Sequence, residues 1–383
     1  MAEGQFGNFN MNLFFVRNSI DLDFMMPIIV ESKQKIICQY EKFSIINNNK
    51  KLLVDNNIEL VKIHNSLLIN LTNFFLKACS RINLLNCFQP LLTTFQDLIL
   101  YQELKKINYL YSGNNNVIFD HTNSEKVKAI IRVIQNKFKS RNKFIAVPHG
   151  INIFKNRMNE YIDIKPPQKV DFTFFDLVIC SDKGHFETIL AKKKVIIYPL
   201  RYTREWVERL IKFKYKKKIK KKSDKKKVLI VHSKFSGNVN DLEFYRIIKI
   251  LKNMEKFEIT IKLHPRSTKN ENSEIKNKCK ECIFSRDDIL NLVNQSDLII
   301  FFQSSAILDA ILLNKSVIFP VFATSNQLIS SLKRNITSYH SPDQFYKGML
   351  NLKVNMINKN IFQSPKYCEL LSKWNDIFNK NFF

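Results

Sequence analysis

The sequence predicts an α/β protein with two doubly wound domains. Short apolar runs recur along the 383-residue chain, and segments with helical periodicity separate them. Strands that alternate with helices in this way form a parallel sheet covered by helices on both faces. A lysine-rich stretch over 212–227 interrupts the alternation, which starts again at Val228. We therefore expect one domain on each side of that stretch, the two facing each other across a cleft.

The expected elements follow in order along the chain. Apolar runs predict strands in the first half at 12–16, 35–39, 116–119, 143–147, 176–180 and 194–198. Helical periodicity predicts helices at 21–32, 58–85 and 125–137. The second half repeats the pattern, with strands at 228–231, 259–263, 296–302 and 316–319, and helices at 241–253 and from Ala306. The expected divisions are a first domain, a linker, a second domain and a helical tail that packs back, over 1–211, 212–227, 228–345 and 346–383.

The composition indicates a large folded core and a strongly basic surface. Hydrophobic residues make up 45% of the chain, which argues against a disordered protein. The 61 Lys and Arg residues outnumber the 34 Asp and Glu residues, so the net charge is +27. Such a charge attracts polyanions, namely nucleic acid, an anionic membrane or phosphorylated substrates. The charge alone does not choose among these partners.

Cysteine usage favours neither disulfides nor a metal site. The seven cysteines are scattered and odd in number, which argues against a secreted disulfide framework. Cys279 and Cys282 form one CxxC pair, and no second pair completes a zinc site. We therefore predict no metal and no required cofactor.

The sequence favours a cytoplasmic location. Residues 1–12 lack the pattern of a signal peptide, and no apolar run is long enough to span a membrane. The lysines of 212–227 allow two interpretations. They form a solvated linker, or they attach the protein to the inner face of the plasma membrane, where each clustered lysine gains about 1 kcal/mol near anionic lipid.

Polar side chains follow the predicted strands of the second domain. In open α/β sheets, ligands bind at the carboxyl ends of the strands. The residues at those ends suit the phosphates of a nucleotide, and they are Ser233, His264, Arg266, Gln303, Ser304 and Ser305.

Three kinds of contact are expected at these strand ends. Ser304 and Ser305 precede a helix, where hydroxyls and free N–H groups form an anion site. Ordinary capping of that helix by Ser305 is the alternative. His264 would stabilise charge on a leaving phosphate, and Arg266 would add a bidentate contact to it.

His149 is the candidate general base of the first domain. It follows a predicted strand, and an imidazole can accept a hydroxyl proton at neutral pH. Gly150 beside it permits close approach of a substrate. Asp120 and His121, at the end of the neighbouring strand, are alternative candidates for the base.

The motifs of the second half carry a family resemblance. His264-Pro265 after one strand, and Ser304-Ser305 between the next strand and a helix, resemble the donor half of GT-B fold transferases of bacterial surface polysaccharides. The most similar of these are CDP-glycerol glycerophosphotransferases, sialyl- and polysialyltransferases and capsule Kdo transferases. Pro148-His149-Gly150 also looks like the His-Gly pair of the glycerophosphotransferases. This chain departs from them in having Phe302-Gln303 where they have Asp-Tyr, and in lacking the acidic triplet of the sialyltransferases.

The resemblance implies an inverting transferase. Its donor would be CMP-, CDP- or UDP-linked, with CMP and CDP favoured, and its acceptor a saccharide or a lipid-linked saccharide. The product would be a surface polysaccharide such as capsule, lipopolysaccharide or a teichoic-acid-like polymer. We expect no nucleic acid as a partner.

Two other classes remain as alternatives. A UDP-GlcNAc 2-epimerase has a related fold, but we expect it to show acidic catalytic residues and a Gly-rich loop that 301–306 lacks. A basic nucleic-acid-binding protein would account for the charge. Against it, the lysines cluster in one stretch without interleaved aromatic residues or an identifiable RNA-binding module.

Overall fold

The computed structural model divides into two compact units. The first comprises residues 1–150, 167–201 and 368–383, and the second comprises 151–166 and 202–367. The structure describes residues 11–41, 47–63, 85–111, 114–138, 141–148, 150, 154–156, 169–214, 224–233, 239–264, 267–302, 304–328, 336–352 and 364–379.

Strands and helices alternate along both units. Up to residue 201 the elements are β1 (Asn12–Val16), α1 (Ser19–Glu31), β2 (Lys35–Gln39), α2 (Asn47–Asp55), β3 (Glu59–Lys62), α3 (Leu85–Leu104), β4 (Asn114–Asp120), α4 (Glu125–Lys137), β5 (Arg141–Val147), β6 (Phe154–Asn156), β7 (Val170–Asp171), β8 (Leu177–Cys180), α5 (Lys183–Thr188), β9 (Ile189–Leu190) and β10 (Lys194–Ile196). After residue 201 they are α6 (Arg204–Lys214), β11 (Lys226–Val231), α7 (Asp241–Lys252), β12 (Phe257–Lys262), α8 (Lys269–Lys278), β13 (Ile283–Phe284), α9 (Ile289–Gln295), β14 (Leu298–Phe301), α10 (Ala306–Leu312), β15 (Ser316–Pro320), β16 (Asn326–Leu328), β17 (Thr337–Tyr339), α11 (Pro342–Leu350) and α12 (Tyr367–Asn379).

Each unit is organised around one parallel sheet. Within the described ranges, the sheet of the first unit has the order β10-β8-β5-β4-β1-β2-β3, and that of the second has the order β13-β12-β11-β14-β15-β17. All neighbours in both sheets pair in parallel. The first strand of each of these two sheets is internal, so the order reverses between β1 and β4 and between β11 and β14. The predicted fold class, α/β with doubly wound parallel sheets, is confirmed.

The central strands β1 and β11 are apolar over most of their length, as is typical of parallel sheets with helices on both faces. All five residues of β1 are buried, and Phe15 lies opposite Phe119 of β4 in the register. Their rings stack with centroids 4.7 Å apart. The last four residues of β11, Val228 to Val231, are buried in the same way at the centre of the second sheet. Polar groups can therefore lie only at the ends of these strands.

The last helix packs against the first unit. Trp374 of α12 is fully buried, and its Nε1 donates a hydrogen bond to the carbonyl of Tyr198 at 3.4 Å. The side-chain amide of Asn116 donates to the carbonyl of Phe378 at 3.0 Å, and Lys143 Nζ donates to that of Ile377 at 3.3 Å. The bonds to Phe378 and Ile377 satisfy carbonyls in the last turn of α12 that have no partner within the helix.

Several predicted limits differ from the structure. The expected helix over 58–85 is wrong at its start, because Glu59–Lys62 is the edge strand β3, and residues 64–84 lie outside the described part. The predicted tail start at 346 falls inside α11, which the Ser341 hydroxyl caps by accepting the Gln344 N–H at 3.2 Å.

The expected change of domain is at 212–227, whereas the units change between Arg201 and Tyr202. Of the lysine stretch, Lys212–Lys214 belong to α6 and Lys226–Lys227 to β11.

Trp374→Ala should destabilise the fold by about 3–5 kcal/mol, because it leaves a cavity where a large side chain is buried. Urea unfolding measures the loss. Lys373→Ala, at an exposed position of the same helix, should change the free energy of unfolding by no more than about 0.5 kcal/mol. Equal stabilities of the two variants would show that α12 does not belong to the core of the first unit.

Candidate functional site

Polar residues follow three adjacent strands of the second sheet. His232 and Ser233 follow β11 and are buried. His264 comes two residues after β12 and is partly buried, and Ser304 comes three residues after β14. Because β12 and β14 flank β11, these residues lie along one carboxyl edge, on both sides of the point where the strand order reverses. That point is where open α/β sheets bind their ligands.

His232 is a neutral hydrogen-bonding group at this edge. Its side chain is fully buried, with Nε2 3.6 Å from Glu271 Oε1 of α8 and its ring edge-on to Phe244 at 5.2 Å. Burial lowers the pKa of His232 to about 4, the nearby Glu271 carboxylate raises it in part, and the charge of His264 lowers it further. At neutral pH the ring is therefore uncharged and offers one N–H donor and one nitrogen acceptor.

The sequence prediction selected Ser233 and passed over His232. The signal that could have found it is its position directly after β11, the first strand of the second parallel sheet. In a doubly wound sheet that strand is internal and next to the reversal, so the residue after it belongs to the binding edge.

The two serines before α10 behave differently. The Ser304 hydroxyl accepts the N–H of Ala306 at 3.3 Å. Ser305 is exposed and makes no capping bond with its side chain, so its suggested role as the helix cap is wrong. Arg266, Gln303 and His149 lie outside the described residues, and their roles stay predictions.

A charge cluster occupies the carboxyl edge of the first sheet. Arg17 follows β1, and its Nη2 lies 3.1 Å from Oδ2 of Asp120, the last residue of the neighbouring strand β4. Arg17 Nε lies 3.5 Å from Asp21 Oδ2 of α1, and the Thr122 hydroxyl also donates to Asp120 Oδ2. Both carboxylates are buried, whereas 31% of the Arg17 side chain is exposed. In this geometry Asp120 holds Arg17 at the point of strand reversal. The suggested role of Asp120 as a base stays a prediction.

Asp21 is the group of this cluster that titrates near neutrality. Burial raises the pKa of Asp21 to about 7, and the negative charge of Asp120 adds to the effect, while Arg17 opposes it. Burial also raises the pKa of the Tyr40 phenol, which keeps that group neutral. The sequence prediction had assigned no role to Arg17 or Asp21, because their link to Asp120 depends on the order of the strands.

The described residues contain neither a candidate membrane span nor a candidate metal cluster. Among them, no helix is both long and apolar enough to cross a membrane. They also contain no group of three or more His, Cys, Asp or Glu side chains placed to hold a metal ion.

The chain is similar in structure to several known proteins. No protein-family profile and no curated protein sequence matches the chain. It is similar to the UDP-GlcNAc 2-epimerase of Methanocaldococcus jannaschii, with a TM-score of 0.54 and 12% identity over 95% of this chain and 99% of that one. It is also similar to Staphylococcus aureus MnaA in complex with UDP, with a TM-score of 0.52 and 13% identity over 90% of this chain and 88% of that one. A third similar structure is Neisseria meningitidis UDP-GlcNAc 2-epimerase bound to UDP-GlcNAc, with a TM-score of 0.50 and 10% identity over 96% of this chain and 94% of that one. At these identities the likeness shows the fold, and it extends over both units.

Asp21→Asn should remove a pH dependence of stability. The folded-state pKa of about 7 lies above that of an unfolded aspartate, about 3.9. The folded state therefore keeps a proton that the unfolded state loses, and this contribution to stability declines as pH rises from about 4 to about 7. Asparagine does not titrate, so the variant does not show this decline. Its free energy of unfolding, relative to that of the wild type, should therefore increase as the pH rises across this range.

Urea unfolding of both proteins at the two ends of the range measures the effect. Ser372→Ala, at an exposed position whose side chain does not titrate in this range, serves as the control and should show a difference from the wild type that does not change with pH. A difference between Asp21→Asn and wild type that does not change with pH would contradict the shifted pKa.

Proposed function

We propose that the chain is an enzyme of nucleotide-sugar metabolism that binds the nucleoside diphosphate of its substrate at the carboxyl edge of the second sheet. The observation that carries the proposal is the convergence of His232, Ser233, His264 and Ser304 after three adjacent strands on both sides of the strand reversal. The full-length likeness to proteins described as complexes with UDP and UDP-GlcNAc supports a nucleotide-sugar ligand.

The chemistry of this edge suits a diphosphate. Hydroxyl groups and imidazole N–H groups donate hydrogen bonds, and bonds to an anionic oxygen are the stronger kind. Glu271, an acidic side chain near this set, already faces His232 at 3.6 Å. The edge therefore offers mostly donors, which favours an anion over a cation.

Epimerisation of the sugar is the reaction that has the most support. Four structures that match with a TM-score of at least 0.50 are described as UDP-GlcNAc 2-epimerases or as a complex with UDP. The sequence disfavoured an epimerase because it showed neither recognisable acidic catalytic residues nor a Gly-rich loop at 301–306. Asp21 and Asp120 at the carboxyl edge of the first sheet weaken that objection. Inverting a sugar carbon requires a proton to leave and another to return, so groups that titrate near neutrality suit the reaction.

Group transfer is the second candidate, favoured by the motifs His264-Pro265 and Ser304-Ser305. In that case the donor is CMP-, CDP- or UDP-linked, and the acceptor belongs to a capsule, lipopolysaccharide or teichoic-acid-like polymer. Attachment of the basic chain to the inner leaflet of the membrane is part of this second proposal.

Incubation of the chain with UDP-GlcNAc in D₂O, followed by proton NMR, separates the two reactions. An epimerase converts the sugar to its 2-epimer without an acceptor and incorporates deuterium at the inverted carbon. A transferase leaves the sugar intact until an acceptor is added. Thermal unfolding with UDP, CDP and CMP tests binding, because a ligand that binds only the folded state raises the midpoint. If no nucleotide raises it, the proposed function is wrong.

His264→Ala should weaken UDP binding by about 10- to 100-fold, because a hydrogen bond to a charged group contributes about 1.5–3 kcal/mol. Titration calorimetry measures the dissociation constant. His340→Ala, which removes an exposed imidazole elsewhere in the same unit, should bind UDP like the wild type. Equal affinities of the two variants would remove His264 from the phosphate site.

A further inference from the structure

A histidine that the sequence prediction did not select lies at the carboxyl edge of the first sheet. Ser181 and Asp182 follow β8, and His185 occupies the first turn of the next helix, α5. Asp182 caps that helix, because its Oδ1 accepts the backbone N–H of His185 at 2.8 Å. The backbone carrying His185 is therefore fixed by the strand end itself.

The hydrogen bonds of Ser181 define the tautomer of His185. Ser181 Oγ donates to Asp182 Oδ2 at 2.8 Å, since a carboxylate can only accept. The same oxygen lies 2.6 Å from His185 Nδ1. The single hydroxyl proton is already used, so the serine oxygen must accept the Nδ1–H of the ring. A neutral His185 then carries its proton on Nδ1 and a lone pair on Nε2.

This arrangement excludes Ser181 as a nucleophile. In a Ser-His-Asp triad the serine faces Nε2 and the aspartate faces Nδ1. Here both groups lie on the Nδ1 side, with Asp182 Oδ2 3.7 Å from Nδ1, and Ser181 is 4% exposed. Ser181 positions the ring, and Nε2 is the nitrogen left for proton transfer.

His185 also lies where a ligand of the first sheet would bind. Its side chain is 23% exposed, and its ring centroid is 5.8 Å from that of His121, which follows β4. The strands β4 and β8 flank β5, so the two rings lie beside the carboxyl end of β5. The position and the tautomer together give a nitrogen base at the binding edge of this sheet.

We propose that His185 is a general base acting on the sugar, an inference that rests on the proposed function. The C–H bond at the carbon to be inverted breaks, and its proton bonds to Nε2. The electron pair of that bond becomes a second bond to the neighbouring carbon, and the nucleoside diphosphate departs from that carbon with the C–O pair. The ring becomes an imidazolium that keeps its Nδ1–H bond to Ser181 and faces the Asp182 carboxylate.

The tautomer is tested without any substrate. ¹⁵N NMR of the histidine rings in the full chain distinguishes a protonated Nδ1 from a protonated Nε2, and His185→Gln identifies the signals. We expect the Nδ1–H form in the wild type, and a shift toward Nε2–H in Ser181→Ala, which lacks the acceptor. Finding the Nε2–H form in the wild type would overturn the inference.

The base role is tested by turnover of UDP-GlcNAc. His185→Gln should lower kcat by about 10²–10⁴-fold and slow deuterium incorporation in D₂O to the same degree. Its affinity for UDP should remain that of the wild type, and urea unfolding of the variant shows whether the first unit, which carries the substitution, is folded. Ser181→Ala should lose less turnover, and His340→Gln, the exposed control, should lose none.

The possible failures are distinguishable. If the wild type converts UDP-GlcNAc and His185→Gln keeps its rate, the assignment of the base is wrong and the proposed function stands. If the wild type converts no nucleotide sugar, the proposed function is wrong and the base role is overturned with it.

Discussion

The reversal of strand order at the first strand of each sheet decides where this protein can place polar groups. With helices on both faces, β1, β4, β11 and β14 are buried over most of their length, and a charge at their centre would be costly. The chain therefore carries its charged side chains at the strand ends or just past them. Because the strands are parallel, residues that follow neighbouring strands meet at one edge, as Arg17 and Asp120 do across 103 residues of sequence.

The two edges differ in their electrostatics. At the first edge, one partly exposed guanidinium is held by two buried carboxylates, and the pKa of Asp21, raised to about 7 by burial, lets the cluster take up or release a proton near neutrality. At the second edge the buried His232 has a pKa lowered to about 4, so that group stays neutral and acts through hydrogen bonds. An edge rich in donors suits a diphosphate, and an edge with titratable groups suits proton transfer.

The sequence predicted the internal strands closely because they are short apolar runs bounded by polar residues, as in 13–16 and 36–38. It predicted α4 at its observed limits because a buried stripe recurs with helical period and Ser124 caps the helix. It misread 59–62 because a half-exposed edge strand carries little apolar pattern. It selected Ser233, His264 and Ser304 from strand ends alone. It could not select His185 or Arg17, whose partners depend on cap geometry and strand order.

A crystal structure of the chain with UDP tests the central claim most directly. The account predicts diphosphate oxygens within hydrogen-bonding distance, about 3 Å, of the Ser233 hydroxyl and the His264 ring at the end of β11 and β12. UDP bound elsewhere, with that edge in contact only with solvent, would contradict it.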